Sequence, residues 1–348
     1  MNRVPIVRVV ISSLLALAVL GSLLGPATAQ QATPASSDQD PLAIGTPGQI
    51  GDYEITVLSV VPNAADLVLA YNEFNPDPAP GTLFFLARIQ VTYVGESSGS
   101  PWLELALTAV GNNPDEPYAE FENSCGDIPE SASVVSTELF PGGTIEYNVC
   151  WAIDQADAGS LRMEVSSYSA NSDQTAWFML GDPSLATPSS AASPAPTPVA
   201  LASARFEPIP LGTPSLVGAY SLQVVAVDPN ATETILASAT MSDPPAEGNQ
   251  FYLVTISITN LGEETSSPSF DLNFKAVGEL SVGYNEFSNG CGLGAGSTSN
   301  IGDLPAGGTV EVNACWEIPA TEAASLVMYV DLNYAMDRAG RTWFAIQP

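Results

Sequence analysis

Carboxylates are the main chemically reactive side chains of this chain of 348 residues, which has 38 Asp and Glu against 8 Lys and Arg and has no histidine. Without histidine, Ser-His-Asp and Cys-His nucleophile systems are excluded, and so are zinc and iron sites that need histidine ligands. The formal net charge of −30 disfavours nucleic acid as a partner, because phosphate binding needs clustered Lys and Arg. The remaining candidates are calcium binding and acid-base chemistry by paired carboxylates.

Calcium prefers carboxylate and carbonyl oxygens, and acidic residues cluster around one cysteine of the chain. The candidate ligands are Asp115, Glu116, Glu120, Glu122 and Asp127. This segment lacks the EF-hand spacing. The chain contains two copies of one repeated sequence, and the second copy keeps only Glu286, at the position of Glu120. We therefore expect no metal and no cofactor, and these five residues are the calcium candidates if a metal does bind.

Paired acids could also serve as the acid and base of a glycoside hydrolase. Two pairs occupy matching positions in the two copies, Glu146 with Glu311 and Glu120 with Glu286. Glu146 lies on the polar face of a predicted strand, and we expect all four side chains to be solvated. A serine nucleophile with a lysine base is a poor alternative, because the only lysine, Lys275, lies on a predicted strand. We predict that the protein is not an enzyme.

Tryptophan is the residue type that most often stacks against carbohydrate, and four of the five tryptophans occur at matching positions in the two copies: Trp151, Trp316, Trp177 and Trp343. Their strand parity and their recurrence favour packing in a core. Trp102 has no counterpart and is the better candidate for a surface aromatic residue, although we expect it to be buried as well.

The first 29 residues have the pattern of a secretory signal peptide. Arg3 and Arg8 form a basic region before the apolar stretch from Val9 to Leu24, and Ala27-Thr28-Ala29 fits the small-x-small cleavage site. We expect cleavage after Ala29, which changes the net charge from −30 to −32, and an uncleaved membrane anchor is the alternative. The mature chain would then be secreted, without a membrane span, and envelope association is a further option.

The sequence repeats itself at a shift of about 166 residues. Matching motifs include Gly45-Thr46-Pro47 with Gly212-Thr213-Pro214, Ala109-Val110-Gly111 with Ala276-Val277-Gly278, and Cys150-Trp151 with Cys315-Trp316. We predict two homologous domains, residues 41–180 and 209–348. Residues 30–40 and 181–208 are rich in Pro, Ala, Ser and Thr, which predicts a disordered mature start and a flexible linker.

Apolar and polar residues alternate within each repeat, as they do along half-buried strands. In one such run Phe85, Ala87, Ile89 and Val91 alternate with polar residues, and Gly and Pro clusters separate the runs. Roughly seven strands per repeat, each with one polar face, predict an all-β fold. The architecture that fits is two tandem immunoglobulin-like β-sandwiches joined by the linker.

All four cysteines follow the predicted signal peptide, and cysteines of exported chains favour disulfide bonds. Of the three possible pairings the repeat selects Cys125–Cys150 and Cys291–Cys315. Cys150 and Cys315 share parity with polar residues, so each bond should fasten a loop to the outer face of a strand. Each bond should stabilise its domain by about 3 kcal/mol.

The turn motifs of the first repeat resemble a known family. They are Gly45-Thr46-Pro47, Gly51-Asp52-Tyr53, the strand from Phe84 to Gly95, and Pro141-Gly142-Gly143-Thr144. These motifs resemble the secreted bacterial immunoglobulin-like domains related to the mycobacterial immunoprotective extracellular protein. The second repeat departs from the pattern with Ala306 in place of the proline. The resemblance implies an extracellular β-sandwich of unknown biochemical role, and it supplies no catalytic residues.

We therefore predict a secreted, non-enzymatic tandem module that binds an unknown extracellular protein or glycan, or associates with the envelope, as a monomer. Two rigid domains on a flexible tether would present their end loops to the target. The alternatives are a carbohydrate-binding accessory protein or a glycoside hydrolase that uses acidic residues, and a structural stalk. An exposed aromatic residue flanked by acids would favour sugar binding, and a smooth polar surface would favour the stalk.

Overall fold

The computed structural model describes residues 36–131, 137–168, 175–181, 205–238, 243–293, 296–333 and 340–347. The predicted signal peptide and most of the predicted linker lie outside these described residues. None of the described helices is long and apolar enough to cross a membrane.

Alternating apolar residues form the strands of the first repeat. The strands are β1 (Gly48–Ile50), β2 (Tyr53–Val61), β3 (Thr82–Tyr93), β4 (Leu105–Val110), β5 (Tyr118–Ala119), β6 (Thr144–Asp154), β7 (Arg162–Ser167) and β8 (Thr175–Met179). Two short helices lie between them, α1 (Ala65–Tyr71) and α2 (Pro101–Glu104), and a single 3-10 turn spans Gln155–Asp157.

The second repeat forms the same series of strands. They are β9 (Ser215–Val217), β10 (Tyr220–Asp228), β11 (Asn249–Asn260), β12 (Leu272–Val277), β13 (Gly283–Asn285), β14 (Thr309–Pro319), β15 (Val327–Leu332) and β16 (Thr342–Ala345). The helices are α3 (Thr232–Ser238), α4 (Pro268–Asp271) and α5 (Glu286–Asn289), and 3-10 turns span Thr298–Asn300 and Ala320–Glu322.

Strand order is the same in the two repeats. The first has sheets ordered β1-β2-β3-β6 and β5-β4-β7-β8, and the second has β9-β10-β11-β14 and β13-β12-β15-β16. All of these pairings are antiparallel. In the first repeat β2, β3 and β6 correspond to immunoglobulin strands A, B and E, and β5, β4, β7 and β8 correspond to C′, C, F and G. The predicted all-β fold with immunoglobulin-like sandwiches is confirmed.

Each sandwich has its own apolar core between its two sheets. In the first, Ile89 of β3 and Met163 of β7 belong to one buried cluster with Trp151 at 0% exposure. In the second, Trp316 is equally buried among the corresponding side chains. These two tryptophans therefore lie in the cores, as the sequence predicts.

The two disulfide bonds have the predicted pairing, Cys125–Cys150 and Cys291–Cys315. Each lies on the outer face of a sheet, but that face is covered. In the first sandwich Val68 of α1 and Phe84 of β3 pack against Cys125 and Cys150, so that helix and loop form a second, smaller core. A matching cluster around Cys291 includes Ile235 of α3.

Parts of the two segments that we expected to be disordered contact the sandwiches. Asp38 forms an ion pair with Arg162 at 2.5 Å, and the Ser36 hydroxyl accepts a hydrogen bond from the Trp177 N–H at 2.9 Å. At the end of the predicted linker, Arg205 donates to the carbonyl of Gly278 at 2.5 Å. Ser36, Asp38 and Arg205, which lie in the segments predicted as a disordered mature start and a flexible linker, therefore have partners on the sandwiches.

Candidate binding cleft

A short backbone bridge joins the two sandwiches. The N–H of Phe140 donates to the carbonyl of Ser281 at 2.9 Å, and the N–H of Gly283 donates to the carbonyl of Glu138 at 2.7 Å. Leu139 and Val282 thereby form an antiparallel bridge. The segment that leads into β6 therefore pairs with the segment that leads into β13.

Glycine at position 283 permits this close approach. A Cβ there would lie 3.0 Å from the carbonyl oxygen of Glu138 and 2.9 Å from the Tyr329 hydroxyl, closer than ordinary contact allows. The matching residue of the first sandwich is Pro117, which has no N–H to donate. The bridge can therefore form on the second sandwich and not on its equivalent edge in the first.

A network of ion pairs lies beside the bridge. Arg341 holds Asp331 with two hydrogen bonds, from Nε at 2.7 Å and from Nη2 at 2.8 Å. The same Nη2 donates to Glu138 of the first sandwich at 2.9 Å, and the Arg341 and Glu138 side chains are only 9% and 7% exposed. Burial lowers the pKa of Arg341, but its hydrogen bonds to Asp331 and the charge of Glu138 outweigh that effect and raise the pKa overall.

The Glu138 carboxylate also accepts hydrogen bonds from two hydroxyl groups, those of Ser98 at 2.7 Å and Tyr329 at 3.0 Å. Burial and the negative charge of Glu138 raise the pKa of Tyr329 well above its ordinary value, so its phenol stays neutral. Lys275 Nζ lies 3.4 Å from Glu138 and 3.3 Å from Asp331. The positive charges of Arg341 and Lys275 thus balance the negative charges of Glu138 and Asp331.

Aromatic rings complete the contact. Phe140 of the first sandwich packs edge-on against Tyr329 and Trp343, with ring centroids 5.5 and 5.7 Å away. The Arg341 guanidinium lies 4.3 Å from the centroid of Tyr329, and that of Arg205 lies 5.1 Å from the centroid of Phe140. Apolar burial, cation–π contacts and ion pairs therefore act at one place.

Trp343 does not pack in the sandwich core, and the sequence prediction for it is wrong. Its neighbour Phe344 belongs to the core, so Trp343 points to the outer face of the sheet. It is 8% exposed and belongs to the cluster that includes Phe140. At the matching position of the first sandwich Trp177 is only half-buried.

The interface residues differ between the repeats. At the positions matching Lys275, Tyr329, Asp331 and Arg341, the first sandwich has Thr108, Glu164, Ser166 and Thr175. At the positions matching Glu138 and Phe140, the second sandwich has Asp303 and Pro305. Matching the two repeats does not reveal these positions, because the residues are not shared. The sequence signal that could have indicated them is that Lys275 and Arg341 have no charged counterparts in the first repeat.

The interface leaves part of a sheet face open. Asn285, Lys275, Tyr329 and Trp343 are successive neighbours across β13, β12, β15 and β16. Phe140 packs on Tyr329 and Trp343, whereas Asn285 and Lys275 lie in a cleft of about 320 Å³. Ser100, Leu103 and Glu138 line it from the first sandwich, and Asn273, Lys275 and Asn285 line it from the second.

The cleft has apolar side chains from both sandwiches. Phe287 of α5 and Leu103 of α2 line it and are 94% and 63% exposed. The Asn285 side-chain oxygen accepts the N–H groups of Phe287 and Ser288 at 3.0 and 2.9 Å, which fixes the backbone that presents the ring. Trp102, which we expected to be buried, is 39% exposed on the same helix as Leu103.

The five calcium candidates do not come together. Asp115, Glu116, Glu122 and Asp127 are exposed, and Asp127 accepts a hydrogen bond from Asn72 at 2.7 Å. Within the described part of the chain, no group of three carboxylates or cysteines is placed to hold a metal ion. Asp115 and Glu116 occupy the positions matching Ser281 and Val282, which pair with the other sandwich.

Glu120 and Glu286 are not solvated as predicted, whereas Glu146 and Glu311 are exposed. Burial raises the pKa of Glu120 and of Glu286 to about 7. Glu286 accepts hydrogen bonds from the Thr298 hydroxyl and, at 3.3 Å, from the N–H of Cys315. Each lies just before the first cysteine of its repeat, where the loop folds back over the sheet.

No family model and no curated protein matches the chain. Among solved structures, it is similar to a conserved hypothetical protein from Bacillus anthracis (14% identity, TM-score 0.27, covering 39% of this chain and 95% of that one). It is also similar to an uncharacterized β-sandwich protein from Clostridium difficile 630 (11% identity, TM-score 0.27, 40% and 95% coverage). A red sea bream transglutaminase aligns at 11% identity and a TM-score of 0.18, over 86% of this chain and 32% of that one.

Proposed function

We propose that this chain is an exported, non-catalytic binding protein whose ligand site is the cleft between its two sandwiches. The observation that carries the proposal is that neither sandwich forms this cleft alone, since Leu103 and Glu138 line it from one side and Asn273 and Phe287 from the other. A concave site at the junction of two domains, with a few polar groups among apolar ones, is typical of ligand binding.

The interface supports a preformed site. Buried, hydrogen-bonded ion pairs are costly to separate, because separation leaves uncompensated charges. Glu138 and Arg341 are such a pair. The two sandwiches therefore bind the ligand together, as one body with a shared cleft. They do not bind independently as two domains on a tether.

A binding role is favoured over hydrolysis by the state of the acids in the cleft. A catalytic carboxylate must reach the scissile bond, either directly or through a water molecule. Both oxygens of Glu138 accept hydrogen bonds from Arg341, and Tyr329 and Ser98 bind it as well. Glu286 is bound to Thr298 and to the backbone.

Export and an extracellular location belong to the proposal. They rest on the signal-peptide pattern of residues 1–29 and on two disulfide bonds that use all four cysteines. The relation to the immunoglobulin-like domains of the mycobacterial protein also stays a proposal, based on the turn motifs. We propose a monomer that binds envelope or extracellular material.

Retention on envelope material tests the function. The mature protein, residues 30–348, is incubated with the envelope fraction of the producing organism, and the bound amount is measured against protein concentration. We expect saturable retention that falls about tenfold in Phe287→Ala, since a buried Phe contributes roughly 1.5–3 kcal/mol. Phe121→Ala is the matched control, because Phe121 is 73% exposed at the equivalent position of the first sandwich. Absence of saturable retention, or equal loss in both variants, would contradict the proposal.

A further inference from the structure

The floor of the cleft offers uncharged hydrogen-bonding groups. Asn273 lies opposite Asp331 in the strand register, and Asn285 lies opposite Lys275. Within the described residues the Asn273 side-chain amide has no hydrogen-bond partner. An amide supplies both a donor and an acceptor, and a hydroxyl group can satisfy either one. Ser100 adds a hydroxyl from the first sandwich.

The ionisable groups of the cleft already have partners within the protein, and Glu286, which also lines it, is bound by the Thr298 hydroxyl and the Cys315 N–H. Lys275 lies between Glu138 and Asp331, and Arg341 binds the same two carboxylates. An anionic ligand would meet the repulsion of a chain with a net charge of −30. A cationic ligand would have to take a carboxylate from an existing buried partner, which is costly. The cleft therefore favours an uncharged ligand.

The rim supplies apolar surface to a ligand that is otherwise polar. The Phe287 ring is almost fully exposed, and its face carries partial negative charge. The C–H groups on one side of a sugar ring are weakly positive and apolar, while its hydroxyls point outward toward hydrogen-bonding groups. Phe287 and Leu103 with the nearby amides match both parts of such a molecule.

We propose that the ligand of the cleft is an uncharged carbohydrate, bound by stacking on Phe287 and by hydrogen bonds to Asn273 and Ser100. This inference rests on the proposed function and adds the chemical class of the ligand. Asn273 and Phe287 come from different elements of the second sandwich, and Ser100 comes from the first, so the sugar would contact both.

The test compares retention of the mature protein on three samples of envelope material: untreated, oxidised with periodate, and digested with protease. Periodate cleaves the vicinal diols of sugars, and protease removes protein. We expect retention to survive protease and to fall at least tenfold after periodate. Elution by the uncharged fraction of an envelope hydrolysate, and not by its acidic fraction, should follow. Retention should be unchanged when salt is raised to 0.5 M, because an uncharged ligand is not screened.

The outcomes separate the two proposals. Retention that survives periodate but is lost after protease would overturn the carbohydrate assignment and leave the binding function intact. Elution by the acidic fraction alone would also overturn it. No saturable retention on untreated material would overturn the binding function itself. Asn273→Ala and Phe287→Ala should each weaken retention about tenfold, and Phe121→Ala should not, which assigns the retained sugar to this cleft.

Discussion

Arg341 of the second sandwich and Glu138 of the first form a buried ion pair, with Nη2 2.9 Å from Oε1 and 3.1 Å from Oε2. The two residues are 203 positions apart in the sequence. The positions that match Glu138 and Arg341 in the other repeat are Asp303 and Thr175. A duplicated sandwich has thus acquired an asymmetric contact. The cleft proposed as the binding site lies at its edge.

Removal of the Glu138 carboxylate should destabilise the protein strongly. Glu138→Ala leaves the Arg341 charge without one of its two buried partners, and breaking such a pair costs about 3–5 kcal/mol. Urea denaturation followed by tryptophan fluorescence measures the change. Asp303→Ala, at the matching position of the second sandwich, is the control and should cost less than about 1 kcal/mol. Equal effects of the two substitutions would show that the interface does not contribute to stability.

A methyl group at Gly283 should weaken the contact between the sandwiches. In Gly283→Ala the new Cβ would lie 3.0 Å from the Glu138 carbonyl, so the backbone bridge must open or shift. We expect a loss of about 1–3 kcal/mol and weaker retention on envelope material. Gly302→Ala is the control, because nothing lies within 4 Å of a Cβ built there. Wild-type stability and retention in Gly283→Ala would rule out the close contact.

Stability should decrease as the pH rises from about 4.5 to about 7. Burial raises the pKa of Glu120 and Glu286 to about 7 in the folded chain, from an ordinary value of 4.5. Below pH 4.5 both states are protonated. Between the two values the unfolded chain loses its protons first, and this lowers the free energy of unfolding by up to about 3 kcal/mol per carboxyl.

The corresponding variants give the test of that pH dependence. Glu120→Gln with Glu286→Gln should flatten the stability profile between pH 4.5 and pH 7 and stabilise the protein at pH 8, because an amide does not ionise. Glu311→Gln changes an exposed carboxylate and should keep the wild-type profile. Thermal melts over this pH range provide the measurement. A profile that keeps its slope in the double variant would place the titrating groups elsewhere.

Each disulfide bond should stabilise its own sandwich. Replacing Cys125 and Cys150 together by alanine opens a loop with a sequence separation of 25 and should cost about 3 kcal/mol. The Cys291–Cys315 pair closes a loop of nearly the same length and should give a similar loss. Denaturation of the two double variants measures both. A non-reducing peptide map that shows a bond between the two sandwiches would contradict the pairing.

The sequence predicted the features that the two repeats share. Period-two alternation around Ile89 predicted the strands, and matching Cys150 with Cys315 predicted the disulfide pairs, since both depend on local pattern or on duplication. The interface could not be predicted in this way. It depends on residues that differ between repeats, such as Tyr329 against Glu164, and on a packing of one sandwich against the other that local periodicity does not encode.

The cleft residues were missed for a related reason. Phe287 matches Phe121 of the first repeat, and both rings are exposed, at 94% and 73%, so the repeat does not distinguish the ring that lines the cleft. The burial of Glu286 likewise follows from the loop that folds over Cys315, which alternation along one strand cannot show.

The most direct test of the central claim is the tumbling of the two sandwiches in solution. Amide-nitrogen relaxation of the mature protein gives a rotational correlation time for each sandwich separately. The interface predicts a single common time for residues 41–180 and 209–348 in the wild-type protein, and two shorter, different times in Glu138→Ala. Two separate, shorter times in the wild-type protein would contradict a joined pair of sandwiches with a shared cleft.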